Sequence, residues 1–166
     1  MKLVIFSIII LFSIVTLISL LVPSHIRISK TINIKAQSGT IFRYIGDLNN
    51  WRKWHPVFKN LPSNKIEIID SINGRATKLK IDQTIITLLI TKTDTVEAEI
   101  LIPGKKPVIS DWFISAQSEP GVLTLHASMD LTLRWYPWEK FSSLFFEKTY
   151  GSQLEQGLNN LKKLAE

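Results

Sequence analysis

The feature that most constrains this chain is a run of twenty residues without a charged side chain, from position 3 to position 22. An α-helix rises about 1.5 Å per residue, so a run of about 20 apolar residues matches the hydrocarbon thickness of a bilayer. Ser7, Ser13, Thr16 and Ser19 interrupt the run, but a hydroxyl group in a helix can donate a hydrogen bond to its own backbone. The run therefore predicts one transmembrane helix within residues 1–23.

A cleaved secretory signal is the alternative to a permanent anchor. Such a signal has an apolar stretch of about 7 to 15 residues and small residues before the cleavage site. Here the stretch is longer, and residues 20–23, with the sequence LLVP, offer no such site. We therefore predict an uncleaved single-pass anchor. Lys2 precedes the run and Arg27, Lys30 and Lys35 follow it, which favours a cytoplasmic domain, although the last three also fit the first strand of that domain.

The part of the chain after the apolar run has the size of one domain. Residues 24–166 number 166 minus 23, or 143, enough for one compact core. The chain contains no cysteine, which excludes disulfides and thiolate chemistry. Its net charge of +6 comes from 20 basic and 14 acidic residues spread along the sequence. Dispersed positive charge suits an anionic membrane surface or an ordinary solvated surface, and without a basic cluster no nucleic-acid partner is predicted.

Short alternating runs predict an antiparallel sheet of seven strands. Residues 25–35 place four isoleucines on one side, and a period of two is typical of a half-buried strand. After Pro62, six further runs of β-branched and aliphatic residues are separated by turn signals. Asn73-Gly74 is the strongest signal, because both residues tolerate the positive φ of a type I′ hairpin. The six runs predict a meander that ends in a long strand at 122–135, with its alternating leucines on one face.

Helices are predicted on either side of the meander. Two short helices follow the first strand: Ser38 or Thr40 would cap the first, and the second would start at Asp47 and end before Pro56. A long C-terminal helix would begin near Pro137. Its buried stripe has the spacing of one helical face and comprises Phe141, Leu144, Phe145, Lys148, Gly151, Leu154, Leu158, Leu161 and Ala165. The glycine in this stripe would kink the helix, leave room beneath it or separate two helices.

This order of elements, together with several residues, resembles a known superfamily. The matching residues of the N-terminal part are Phe42, Asp47-Leu48, Trp51, Trp54 and Pro56. Their spacing is similar to the opening of the START-like SRPBCC superfamily, in particular its polyketide cyclase/dehydrase-like branch. Residues 150–162, YGSQLEQGLNNLK, resemble the last helix of membrane-anchored members. The resemblance covers nearly all of residues 24–166. It implies an α+β helix-grip fold, with a curved antiparallel sheet wrapped round the long C-terminal helix.

The resemblance also implies a cavity for an apolar ligand between the sheet and the helix. It does not decide the chemistry, because the superfamily includes lipid carriers, cyclases, hydrolases and binding proteins. The candidate lining residues lie on the last strand and the last helix: Leu125, Ala127, Met129, Leu131, Leu133, Phe141, Phe145, Leu154 and Leu158. The same residues would equally suit a filled core.

Trp51 and Trp54 are further candidate ligand contacts. They are three residues apart, so they lie on the same side of a helical turn. Either they close one end of the sheet as part of the core, or they line the mouth of the cavity or contact a membrane interface.

Lys30 and Asp111 are the charged candidates. Lys30 falls on the apolar side of the first strand, where an ammonium group needs a partner or a path to water. Asp111, Glu97, Glu99 or Asp130 would supply that partner across the sheet. If the pair lies inside the cavity, Lys30 orients a ligand. If Lys30 lies at the sheet edge near the membrane, it is an ordinary solvated residue.

The histidines and motifs predict neither a metal site nor a cofactor. His25, His55 and His126 are far apart and lack His-x-x-x-His spacing, and His126 falls on the polar side of its strand. His55 would be a surface residue in a turn or, less simply, a general base near neutral pH. The sequence also lacks a phosphate-binding loop and a nucleophile elbow.

Three functional hypotheses remain. The first is a membrane-tethered domain that binds a hydrophobic small molecule, such as a lipid, an isoprenoid or a polyketide-like compound. The second is an enzyme of the cyclase or dehydrase kind, in which Lys30, Asp111 or His55 would polarise a carbonyl or move a proton. The third is an interaction module with a filled core and an exposed apolar patch.

Overall fold

The computed structural model describes residues 2–59, 61–116 and 121–166, apart from the side chains of Ser63 and Ala116. The helices in this part of the chain are α1 (Lys2–Leu20), α2 (Ser38–Ile45), α3 (Leu48–Trp54), α4 (Pro56–Lys59), α5 (Pro137–Ser142) and α6 (Ser152–Ala165). The strands are β1 (His25–Lys35), β2 (Ile66–Ile72), β3 (Arg75–Ile81), β4 (Thr84–Thr91), β5 (Thr95–Leu101), β6 (Val108–Ala116) and β7 (Val122–Thr132).

Helix α1 is long and apolar enough to cross a membrane. Its 19 residues span about 28 Å at the usual helical rise. Every hydroxyl group within it donates a hydrogen bond to a backbone carbonyl three or four residues earlier, as the sequence predicts. A helix of this length and composition near the N-terminus is typical of a membrane anchor and also of a signal sequence.

The seven strands form one antiparallel sheet in the order β1-β7-β6-β5-β4-β3-β2. This order confirms the six-strand meander and places the first strand beside the last. In β7, Leu125, Ala127 and Leu131 are buried whereas His126 is exposed, so the predicted apolar face is correct. Helix α6 packs across β1 and β7 on that face. The architecture is the predicted helix-grip fold.

Positive φ angles close two of the hairpins. Asn73 and Gly74 have φ angles of 52° and 74° between β2 and β3, which confirms the type I′ turn. Asp82 has a φ of 52° between β3 and β4, a conformation that aspartate adopts more readily than most residues.

Of the two predicted helix caps, the one at α3 is correct and the one at α2 is wrong. Helix α2 begins at Ser38 itself, and its N-cap is Gln37, whose side chain makes no capping hydrogen bond, so the predicted cap by Ser38 or Thr40 is wrong. Helix α3 is capped as predicted: the Asp47 side chain accepts a hydrogen bond from the Asn49 backbone N–H. The chain leaves helical geometry at the residue before Pro56, and the proline then begins α4.

The C-terminal helical segment begins at Pro137 as predicted, but it is not one regular α-helix. After α5, a 3-10 turn spans Ser143–Phe145, a π-helical turn spans Glu147–Gly151, and only then does α6 begin. A 3-10 helix has about 3.0 residues per turn instead of 3.6, so the three-to-four spacing no longer marks one face. Leu144 and Phe145, predicted to be buried, are therefore exposed to solvent.

Strand β2 forms a free edge of the sheet and exposes Ile68, Ile69 and Ile72. Its register with β3 shifts between Ile68 and Asp70 and again between Asp70 and Ser71. Such shifts are β-bulges, which interrupt the ladder and increase the local twist.

Candidate functional site

An apolar cavity of about 220 Å³ lies between the sheet and the C-terminal helices. Ligand sites for drug-sized molecules usually measure roughly 300–1,000 Å³ and have a mostly apolar wall with a few polar groups. The cavity has that kind of wall but is smaller. It can therefore hold a small apolar molecule or one part of a larger molecule.

The strands supply one wall through their alternation. Side chains two residues apart face the same side of a sheet, so Val108 and Ser110 of β6 face the cavity while Asp111 faces away. Ser110 pairs in register with Met129 of β7, which lines the cavity beside it. The strand residues that line the cavity are Ile81, Thr84, Ile86, Ile100, Val108, Ser110 and Met129.

The helices supply the opposite wall. Tyr150 lies in the π-helical turn, and Gln153 and Leu154 follow it three and four residues later, so all three lie on one side. The N-terminal helices add Trp51 from α3 together with Val57 and Phe58 from α4. The wall therefore joins segments that are about a hundred residues apart in the sequence.

An aromatic cluster packs beside the cavity. The ring centroids of Trp54 and Trp112 are 5.0 Å apart, and those of Trp51 and Trp54 are 5.5 Å apart. Phe58 packs edge-on against Trp51 at 5.6 Å. Edge-to-face aromatic pairs at these distances are favourable beyond their buried area. The cluster gives the cavity one rigid side.

Trp51 and Trp54 are structural residues of this cluster. The Trp51 Nε1 atom donates a 2.9 Å hydrogen bond to the Ile45 carbonyl, and the Trp54 Nε1 atom donates one of 3.1 Å to the Tyr44 carbonyl. Both side chains are almost completely buried, so the expectation that they contact a membrane interface is wrong. Trp51 also lines the cavity, whereas Trp54 lies behind the lining.

His55 is a titratable residue of the cavity wall. Its ring stacks on Trp51 with centroids 5.4 Å apart and planes 10° apart. Burial lowers the pKa of His55 to about 4, so the imidazole is neutral at pH 7. Its Nδ1 atom is buried and has no hydrogen-bond partner among the described residues. The residue as a whole is half-buried, so His55 belongs to the cavity wall and not to the open surface that was expected.

A second hollow of about 240 Å³ lies next to the cavity. The two share Ile102, Val108 and Tyr150. From there the second hollow extends to Lys105 and Lys106 in the β5–β6 loop and to residues after β7. Its remaining lining residues are Leu131, Thr132, Leu133, Glu139, Ser142 and Phe146. The three shared residues form a common wall between the two hollows.

The predicted apolar ligand contacts lie in four places. Trp51, Met129 and Leu154 line the cavity, and Leu131 and Leu133 line the second hollow. Four other predicted contacts belong to the packed core and line neither hollow: Trp54, Leu125, Ala127 and Leu158. The two phenylalanines of the predicted stripe lie elsewhere: Phe141 is half-buried on α5, and Phe145 is 68% exposed.

Lys30 lies against the C-terminal helices, and its predicted partners are wrong. Its Nζ atom donates a 2.8 Å hydrogen bond to Glu147 Oε1, a residue of the π-helical turn. The hydrogen bond and the charge of Glu147 raise the pKa of Lys30 above its ordinary value. A Cβ atom at Gly151 would lie 3.0 Å from Glu147 Oε1 and 3.2 Å from Lys30 Cε, so the glycine leaves room for this pair. The pair lies outside the lining of the cavity.

Asp111 lies on the outer face of the sheet. Its carboxylate is 3.7 Å from the Arg27 guanidinium, which also lies 3.7 Å from Asp130. Burial, and next the charge of Asp130, raise the pKa of Asp111, and Arg27 opposes this shift. Arg27 and Lys30, which could have indicated the orientation of α1 in the membrane, both lie within β1.

The three groups of the enzyme hypothesis do not converge. Of Lys30, Asp111 and His55, only His55 lines the cavity. Within residues 2–59, 61–116 and 121–166, no group of three histidine, aspartate or glutamate side chains is arranged to hold a metal ion. The arrangement favours binding of an apolar molecule over proton transfer by these three side chains.

Much of the lining was missed by sequence reasoning, although two signals were present. Tyr150 lies four residues before the predicted contact Leu154, so helical spacing alone indicates it. Alternation in β6 places Val108 and Ser110 on the face opposite Asp111. His55 had no such signal, because its burial depends on the packing of α3 and α4 against the sheet.

Comparison with protein families gives a match over residues 25–166. The matching family is described as polyketide cyclase/dehydrase and lipid transport. Comparison with curated protein sequences finds no significant match.

Solved structures share the fold. A START superfamily protein from Mycobacterium smegmatis is 18% identical, with a TM-score of 0.60, and the alignment covers 84% of this chain and 96% of that one. The Zhui aromatase/cyclase from a Streptomyces species is 15% identical, with a TM-score of 0.60 and coverages of 85% and 93%. The di-domain aromatase/cyclase StfQ of the steffimycin pathway is 8% identical, with a TM-score of 0.62, and covers 85% of this chain and 51% of its own. At these identities the likeness shows a common fold.

Proposed function

Because the chain belongs to the polyketide cyclase/dehydrase and lipid transport family, we propose that it binds a hydrophobic small molecule in the cavity between its sheet and its C-terminal helices. The observation that carries this proposal is the mostly apolar wall formed by strands β3 to β7 and by Tyr150, Gln153 and Leu154. A modest movement of the shared side chains would join the second hollow to the cavity and make room for an elongated ligand, such as an acyl or isoprenoid chain. Ser110, His55 and Gln153 are the polar groups that would orient it.

We also propose that residues 1–23 anchor the protein and that residues 24–166 form the binding domain. The side chains of α1 are almost entirely exposed, as a helix surrounded by lipid requires. Tethering keeps the binding domain near membrane-derived molecules, so a modest affinity is enough for occupancy. The proposal that the domain faces the cytoplasm rests on the count of basic residues, with Lys2 before α1 and Arg27, Lys30 and Lys35 after it, although the last three belong to β1.

The anchor proposal predicts that the whole 19.0 kDa chain stays in carbonate-washed membranes. The measurement is the intact mass of the protein from that fraction. A mature protein that lacks the first 23 residues, or an intact chain in the supernatant, would overturn the anchor. A reporter fused after Glu166 is expected to be active only on the cytoplasmic side.

The ligand proposal predicts that Ser110→Leu lowers the occupancy of the cavity at least about tenfold, equivalent to 1.4 kcal/mol of binding free energy. The leucine side chain would fill part of the space that the ligand needs. Native mass spectrometry of the full chain, released from detergent micelles, measures the bound fraction as an added mass.

Ser115→Leu is the matched control, because it makes the same change on the outward face of the same strand. It is expected to leave the bound fraction unchanged. A wild-type protein without any added mass would contradict ligand binding. An added mass that persists in Ser110→Leu would show that the molecule lies elsewhere.

A further inference from the structure

The segment after β7 exposes an unusual amount of apolar surface. Trp135, Trp138, Leu144 and Phe145 are 61%, 63%, 65% and 68% exposed, the largest fractions among the large apolar side chains described after residue 22. All four lie within eleven consecutive residues, on α5, on the 3-10 turn after it and just before α5. We call these four residues the aromatic patch. Patches of this kind mark sites that contact another surface.

The aromatic patch is held beside the end of α1. The side chain of Lys140 is 2% exposed, and its Nζ atom donates hydrogen bonds to the Val22 carbonyl at 2.7 Å and to Ser24 Oγ at 2.6 Å. The Leu133 backbone N–H donates to the Ser24 carbonyl at 2.7 Å. Helix α5 also contacts α1 directly. The position at which the apolar helix ends is thus fixed against the segment that carries the aromatic patch.

The chemistry of the patch fits the interfacial layer of a bilayer. Tryptophan and tyrosine favour the headgroup level, where an apolar ring and a polar N–H or O–H are both satisfied. Tyr136 stacks on Trp138 with ring centroids 4.8 Å apart and planes 7° apart, which extends the aromatic surface. The exposed Lys105 and Lys106 line the second hollow together with Glu139 and Ser142 of the patch segment, and lysines near a membrane surface attract anionic lipids.

We propose that the aromatic patch docks on the surface of the bilayer that α1 enters. This inference rests on the anchor part of the proposed function and adds a second contact with the membrane. Docking there brings the lining of the second hollow close to lipid, because its residues Ser142 and Phe146 lie next to the patch residues in the chain. A membrane-derived ligand would then reach the cavity without crossing water.

The test uses the full chain in phosphatidylcholine vesicles that contain brominated lipid, which quenches nearby tryptophans. Trp51, Trp54 and Trp112 are at most 1% exposed, so the quenched emission is expected to come from Trp135 and Trp138. The double variant Trp135→Phe/Trp138→Phe should abolish it. An unquenched wild type would overturn the docking.

A second variant tests docking without removing the reporters. Leu144→Ser/Phe145→Ser is expected to lower the quenched fraction by about twofold, because burial of each apolar side chain favours insertion. The matched control, Ile68→Ser/Ile69→Ser, changes two exposed apolar residues on β2 and should leave quenching unchanged. Equal quenching in both variants would contradict the role of the patch.

The two proposals can fail separately. Added mass on the wild-type protein without tryptophan quenching would overturn the docking and leave ligand binding in place. Quenching without any added mass would overturn ligand binding and leave the docking in place.

Discussion

Replacement of Trp54 by alanine is expected to lower the free energy of unfolding by about 3–5 kcal/mol, the usual cost of removing a buried tryptophan. The Trp54 ring is completely buried and packs against Trp112. It also approaches α6 closely, because a Cβ atom at Gly157 would lie 3.4 Å from the Trp54 ring. The substitution would leave a cavity and remove the donor to the Tyr44 carbonyl. The substitution would therefore weaken the packing of helix α3 against the sheet and against helix α6.

Thermal unfolding of the full chain in detergent measures this effect. For a domain of this size, a loss of several kcal/mol corresponds to a fall in Tm of about 10 °C. Trp138→Ala makes the same chemical change at an exposed position and is expected to alter stability by less than about 0.5 kcal/mol. Similar losses in the two variants would show that Trp54 does not belong to the packed core.

Acidification is expected to destabilise the domain through His55. Above pH 6.5, His55 is neutral in both the folded and the unfolded chain, so it makes no difference to stability. As the pH falls from 6.5 toward 4, the unfolded chain binds a proton at His55 that the folded chain excludes, because burial lowers the folded pKa to about 4. The loss of unfolding free energy reaches about 3 kcal/mol, since one pKa unit equals 1.36 kcal/mol.

The contribution of His55 is the difference between variants, because carboxylates also titrate in acid. The His55→Phe variant is expected to lose less stability than the wild type between pH 6.5 and pH 4. His126→Phe serves as the control, since His126 is exposed on the outer face beside Ser115. Denaturant unfolding at each pH measures the effect. Identical pH dependence in His55→Phe and the wild type would mean that His55 is solvated in the folded protein.

Local patterns predicted the sheet well because each strand carries its own signal. The alternation in β7 and the Asn73-Gly74 turn depend only on neighbouring residues, and both are confirmed. The C-terminal segment behaves differently. Its 3-10 and π-helical turns change the rotation per residue, and the Lys30–Glu147 pair beside Gly151 joins positions 117 residues apart. Sequence spacing within one helix contains no information about such a pair.

The sequence predicted an apolar cavity under the sheet but not which residues line it. The resemblance implied a space under the sheet, and Met129 and Leu154 do line one. Ala127 and Leu125 share a face with Met129, yet they lie in packed core nearer the N-terminal half of β7. Which part of an apolar face is filled depends on where the neighbouring helices lie, and that depends on contacts between distant segments.

The bulged strand at the margin of the sheet affects how copies of this protein meet one another. Three outward isoleucines on β2 would otherwise invite a neighbouring molecule to add its own strand and begin stacking. Such addition needs an unbroken row of free N–H and C=O groups along the edge, and the register shifts after Ile68 and Asp70 interrupt the regular edge. The irregularity is therefore expected to hinder strand addition between copies of the protein.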